Sequence, residues 1–166
     1  MAIAVRDATF PTSIDIPENK RQEIVRLLNA RLADTLDLKT QAKQAHWNVK
    51  GREFFQLHEL FDQIAAHLEA HSDIIAERAT ALGGVAMGTA RMAAANSAIP
   101  EYDLDATKGE EHVRALVQRL AKLGANVRAA IDRADELGDK STADVFTEIS
   151  RELDKDLWFL EAHVQA

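Results

Sequence analysis

Glycines interrupt this chain at Gly51, Gly83–Gly84 and Gly138, and between those breaks apolar residues recur every three or four positions. That period lines them up on one face of a helix. Only seven glycines and three prolines occur in 166 residues, so little else disturbs the pattern. The spacing predicts a first helix from near Pro17 to just before Gly51, buried through Ile24, Leu28, Leu32, Leu36, Ala42 and Ala45. A second, from about Glu53 to Leu82, buries Phe54, Leu57, Phe61, Ile64, Leu68 and Ile75. The third opens at Thr107-x-x-Glu110, read as a capping box, and runs to Gly138 on Val113, Leu116, Val117, Leu120, Leu123, Val127, Ile131 and Ala134. The fourth, about Ser141 to Val164, buries Phe146, Ile149, Leu153, Leu157, Leu160 and Val164, with Trp158 and Phe159 also read as core.

Two helix pairs with short loops are thus joined by a long connector, 84–106, in which "ARMAAANSA" predicts a short helix ended by Pro100. A connector of that length reads as a crossover between hairpins. The predicted fold is all-α: a ferritin-like four-helix bundle over 17–166, with a short extra helix between helices two and three, after an N-terminal extension 1–16. No apolar run approaches the roughly 20 residues that cross a bilayer. The opening "MAIAVRDATFPTSID" lacks the layout of a secretory signal, so a cytoplasmic address is expected, with nucleoid association as a variant of it. The absence of cysteine removes disulfides, thiolate metal sites and thiol nucleophiles together. A net charge of −7 argues against a surface broadly coated by nucleic acid and suits attraction of cations.

Five side chains able to bind metal stand out from this scaffold: His46, His58, Asp62, Asp73 and Glu77. His58 and Asp62 are one turn apart on one helix face, and Asp73 and Glu77 repeat that spacing on the same stripe. The two pairs lie fifteen residues apart, about 22 Å along the axis. Metal–ligand bonds are about 2.0–2.6 Å, so one ion cannot touch both pairs of one chain. An antiparallel copy of this helix, related by a two-fold axis near residues 67 and 68, brings Asp73 and Glu77 of one chain level with His58 and Asp62 of the other. In an antiparallel hairpin turning at Gly51, His46 reaches the height of His58. The reading is a metal site shared between subunits. Two imidazoles and three carboxylates suit iron, zinc or manganese rather than copper(I). Taken alone, Asp73 and Glu77 would serve equally as ion-pair partners of Arg78 or a lysine.

At these residues the chain resembles the Dps family, the small ferritins called DNA-protection-during-starvation proteins. The likeness rests on "AHWNVKG", "LHELFD", "HSDIIAERATALGG" and "SRELDKDLWFLE", with His-x11-His-x3-Asp-x10-Asp-x3-Glu intact, and runs from about residue 20 to the end. The resemblance implies a ferroxidase centre for a mono-iron or di-iron site, with His46, His58 and Asp62 from one subunit and Asp73 and Glu77 from its two-fold mate. Zinc would compete there. Trp47 would stand beside the centre and take up oxidising equivalents. The resemblance further implies a dodecameric shell that stores ferric mineral, using hydrogen peroxide in preference to dioxygen. No histidine here has a glutamate three residues before it, so the Glu-x-x-His pairs of intrasubunit di-iron bundles are lacking.

The alternative within the same resemblance is a nucleoid-associated protein that binds and compacts DNA. Family members that do so often carry a lysine-rich tail, and residues 1–16 offer Arg6 against Asp7 and Asp15. The family's three-fold pores are lined by acids near the start of the last helix, where Asp139, Asp144 and Glu148 fall; acids favoured at a helix N-terminus are an equal reading. His67 and His71, four apart near the expected two-fold axis, are read as packing or exposed at the contact between copies rather than as a further metal site.

Overall fold

The computed structural model describes residues 9–165. It contains five helices in the order α1 (Glu18–Asn48), α2 (Phe54–Ala81), α3 (Ala90–Asn96), α4 (Gly109–Glu136) and α5 (Lys140–Glu161). Among the described residues there is no strand, only an isolated bridge between Lys50 and Lys108. The hairpins α1–α2 and α4–α5 pack together through α1 against α4 and α2 against α5, and α3 lies along α1. This is a ferritin-like bundle with a crossover, as the spacing of apolar residues predicts.

The core is one cluster to which α1 contributes Ile24, Leu28 and Leu38, α2 Leu57, Phe61 and Leu68, α4 Leu116, Leu123 and Val127, and α5 Phe146, Leu153 and Leu160. Burying each such side chain stabilises the fold by roughly 1.5–3 kcal/mol. The turns need glycine where backbone geometry excludes other residues: Gly51, Gly83 and Gly138 all have positive φ. Gly84 matters for space instead, because a Cβ there would lie 2.4 Å from Val25.

Three buried polar residues of α1 hold the long connector in place. The Asn29 amide donates to the Val85 carbonyl at 2.9 Å and its oxygen accepts from the Met87 amide at 2.8 Å. Asp34 accepts from the Ala98 amide at 2.7 Å. Gln41 donates to the Pro100 carbonyl at 3.0 Å and accepts from Arg119 at 2.6 Å. The irregular stretches on either side of α3 must place their backbone polar groups somewhere, and these side chains supply partners.

Four expectations change in detail. The cap of α4 is made by Glu111, which accepts from the amides of Thr107 and Lys108 at 2.9 Å each, while Glu110 pairs with Arg114. Phe54 begins α2 exposed, its ring 5.1 Å from that of His58, so it borders the histidines rather than the core. Trp158 is 61% exposed. It sits two residues from both Asp156 and Leu160, which take the inward face of α5, and so projects elsewhere. The last helix stops at Glu161, three residues before Val164.

Candidate metal centre

The tight turn at Gly51 sets the ends of α1 and α2 side by side, and two histidines lock across it. His46 Nδ1 lies 2.7 Å from the main-chain oxygen of His58, and His58 Nδ1 lies 2.8 Å from that of His46. A carbonyl can only accept, so each Nδ1 carries the ring proton and each Nε2 presents a lone pair. The rings stack with centroids 3.6 Å apart and planes 20° from parallel. Holding Nδ1–H on a backbone carbonyl is how metal-binding imidazoles are commonly oriented.

Asp62 follows one turn after His58 on α2, and its carboxylate takes Lys43 Nζ at 2.5 Å. That hydrogen bond is the largest cause holding the Asp62 carboxyl below the usual aspartate range; burial, the next largest, opposes it, and the charges of Lys43, His46 and His58 act with the bond. Lys43 also sits 5.8 Å above the Trp47 ring, which is 65% exposed. Its place was legible as the residue three before His46, on the same face of α1.

Asp73 and Glu77 are exposed and lie on the second half of the same unbroken helix. The fold therefore groups His46, His58 and Asp62 and leaves the other two candidates about 22 Å away in the same chain. Among the described residues, no three histidine or carboxylate groups of one chain already close around a single point. Arg78, the alternative partner for the two acids, is engaged elsewhere: its guanidinium donates to Asp139 at 2.8 and 3.0 Å and to the Thr142 hydroxyl at 2.9 Å.

Asp139 is accordingly buried at the start of α5, where its carboxylate also accepts from the Thr142 amide at 3.0 Å. Burial alone would raise its pKa, but Thr142 and Arg78 outweigh that and hold it below the ordinary value. Of the three acids considered for a pore, this one acts as a helix cap. Asp144 and Glu148, one turn apart on α5, are exposed.

Two clusters go beyond the reading of motifs, which took His67 and His71 only as packing or exposed at the contact between copies. Tyr102, in the connector, has its hydroxyl 2.5 Å from His112 Nδ1, and burial pushes its pKa up to about 12 despite the Arg119 guanidinium over its ring. His67 and His71 turn into their own bundle, toward Glu152 and Asp156 of α5. The i, i+4 spacing of all four residues was visible, but nothing in the sequence aligns the two helices.

Comparison with known proteins agrees with this fold. A ferritin-like domain profile matches residues 25–166. A DNA protection during starvation protein of Agrobacterium fabrum is 45% identical over 157 residues, covering 95% of this chain and 97% of that one. A protein of the same name from Brevibacillus brevis is 34% identical, covering 87% and 97%. Among solved structures, an archaeal Dps homologue from Halobacterium salinarum superposes with a TM-score of 0.89 at 28% identity, covering 99% of this chain and 90% of that one. DpsC from Streptomyces coelicolor gives 0.92 at 28% identity, covering 100% and 97%. With its ferritin-like bundle, its histidine pair locked across the first hairpin and relatives of one name along nearly its whole length, the chain belongs to the Dps family of ferritin-like proteins.

Proposed function

We propose that the protein is a ferroxidase and iron store that oxidises Fe(II) at sites shared between two-fold-related subunits and keeps the ferric product inside a dodecameric shell. The observation that carries this reading is the reciprocal His46–His58 lock, which leaves two Nε2 lone pairs near the Asp62 carboxylate, while among the described residues no three such groups of one chain close around a point. Such a half-set of ligands calls for completion by the partner subunit's Asp73 and Glu77. Relatives support iron as the substrate. A Dps structure from Microbacterium arborescens is described as a high iron form, and one from Vibrio cholerae O1 as a member of a superfamily of ferritin-like diiron-carboxylate proteins.

In this mechanism the two imidazoles and three carboxylates hold Fe(II) with positions left open to oxidant. Two Fe(II) ions each give one electron to a hydrogen peroxide molecule, which takes up two protons and leaves as two waters. The reaction removes both partners of radical-forming chemistry at once. Dioxygen would serve as the slower oxidant, and zinc as a competitor for the same donors. Lys43 must swing off Asp62 for metal to bind, and its ammonium then remains near Trp47. Trp47, exposed at the site's edge, is placed to surrender an electron to any one-electron oxidant formed there. Asp144 and Glu148 would line the path by which Fe(II) reaches the interior; a Asp144→Lys variant with unchanged uptake rates would remove that assignment.

The test is peroxide-dependent Fe(II) oxidation by wild type, His58→Ala and Asp73→Ala, alone and after dissociation and mixing. Each variant should be slow alone, and mixed dimers should regain about one intact centre each. Verified mixed dimers without recovery overturn the shared site. The names of the relatives bring a second reading, direct DNA binding. It predicts retardation of DNA by the assembled protein that weakens steeply with salt. Residues 1–8, the half of the N-terminal extension that bears Arg6 and Asp7, lie outside the described residues.

A further inference from the structure

Two turns and more beyond His58, α2 runs antiparallel to α5 and the two helices bring four side chains of one chain together. His67 Nδ1 lies 3.0 and 3.1 Å from the two carboxylate oxygens of Asp156, and His71 Nε2 lies 2.6 Å from Glu152 Oε2. The other Glu152 oxygen, Oε1, is 3.7 Å from His67 Nε2. Both imidazoles therefore direct Nε2 at the two oxygens of one carboxylate.

The arrangement separates into ligands and a support. Asp156 is 1% exposed and placed to accept the Nδ1 proton of His67, which leaves a lone pair on Nε2. A buried carboxylate behind an imidazole is the usual way a protein orients a histidine toward a metal. His71 is buried, and among the described residues its Nδ1 has no hydrogen-bond partner, while its Nε2 meets Glu152. Two ligands held about 2.05 Å from a tetrahedral ion stand roughly 3.3 Å apart. The observed separations of 3.7 and 2.6 Å fall on either side of that value. As they stand, no three such groups among the described residues close around one point, and the His71 Nε2–Glu152 Oε2 hydrogen bond would have to give up its proton for an ion to enter. Glu152 and His67 both keep part of their surface in solvent, which gives a cation a way in and leaves room for a water as fourth ligand.

We infer that His67, His71 and Glu152 bind one divalent transition cation of the zinc type within a single subunit, with Asp156 as the residue that positions His67. Two imidazoles, one carboxylate and a water form a donor set that suits Zn(II). This site shares α2 with the proposed shared centre but differs in its ligands, in drawing on α5, and in needing no second chain.

The test is Zn(II) titration of the assembled full-length protein carrying His58→Ala, Asp62→Ala and Asp73→Ala, which removes the shared centre. About one Zn(II) per chain should remain. His71→Gln and Glu152→Gln should each weaken its binding at least ten-fold, and Asp156→Asn by about 10- to 100-fold. Co(II) in place of Zn(II) should give the intense visible bands of a four-coordinate ion, lost in Glu152→Gln. Far-UV circular dichroism and particle size establish folding, and the half-exposed Glu152 keeps the test decisive if a buried histidine variant fails to fold. A background protein that binds no Zn(II), or binds it unchanged in Glu152→Gln, overturns the inference. Because no iron oxidation is measured, failure here and failure of the ferroxidase reading are separable.

Discussion

His46 and His58 hold each other by the same bond given twice, each ring's Nδ1 meeting the other residue's main-chain oxygen at 2.7 and 2.8 Å. Neither imidazole can rotate without losing its own bond to the other residue's main chain and the stacking that supports its neighbour's ring. Replacing either by alanine should therefore lower Fe(II) oxidation by more than the loss of one ligand. We expect at least a 10- to 100-fold fall in initial rate for His46→Ala and for His58→Ala, read by absorbance of the ferric product. The double variant should be little slower than either single one, since the two act as a unit.

Lys43 occupies the Asp62 carboxylate that the proposed centre would use to hold metal. Lys43→Met removes a partly exposed cation from the site's edge, an effect of about 0.2–1 kcal/mol at such positions. The affinity for Zn(II) measured by calorimetry should rise about two- to five-fold, most clearly at low salt. Weaker binding in Lys43→Met would mean that the ammonium shapes the site rather than blocks it.

Trp47 is exposed, so Trp47→Phe should leave thermal stability within about 0.5 kcal/mol of wild type. Fe(II) oxidation should keep its rate, while hydroxyl radical released during turnover with peroxide, measured by spin trapping, should increase. An unchanged radical yield would take the electron-donor role from Trp47.

Asp139 has a folded-state pKa below its ordinary value. A depressed carboxylate adds stability above the unfolded pKa, near 3.9, and loses it as pH falls through the folded one. Asp139→Asn keeps a cap but loses the Arg78 pair, and should be about 1–3 kcal/mol less stable at pH 7. Below about pH 4 the gap between the two proteins should narrow, as followed by urea unfolding across pH. A gap independent of pH would assign the loss to packing.

Tyr102→Phe leaves His112 Nδ1 without its partner in a buried position. The cost should be about 1–3 kcal/mol of unfolding free energy in denaturant titration, with no change in Fe(II) oxidation. A slower oxidation in a stable variant would instead connect this pair to the iron centre.

The helices were legible because their signals are local. Glycines with positive φ close each predicted hairpin, and the apolar period survives almost unbroken in the core. Phe54 and Trp158 show where such reading ends. Both satisfy the compositional rule for burial, yet one begins a helix beside His58 and the other points off the inward face of α5. The capping of α4 by Glu111 instead of Glu110 is a one-residue shift of the kind that motifs do not resolve.

Periodicity along the chain was enough to specify four helices, their pairing into hairpins, and the height of His46 against His58, because each depends on residues close in sequence or on a single turn. The contacts of His67, His71, Glu152 and Asp156, and the engagement of Arg78 by Asp139, depend on how far one hairpin slides and rotates against the other. That register comes from packing of whole side-chain surfaces across the bundle, which no local spacing encodes.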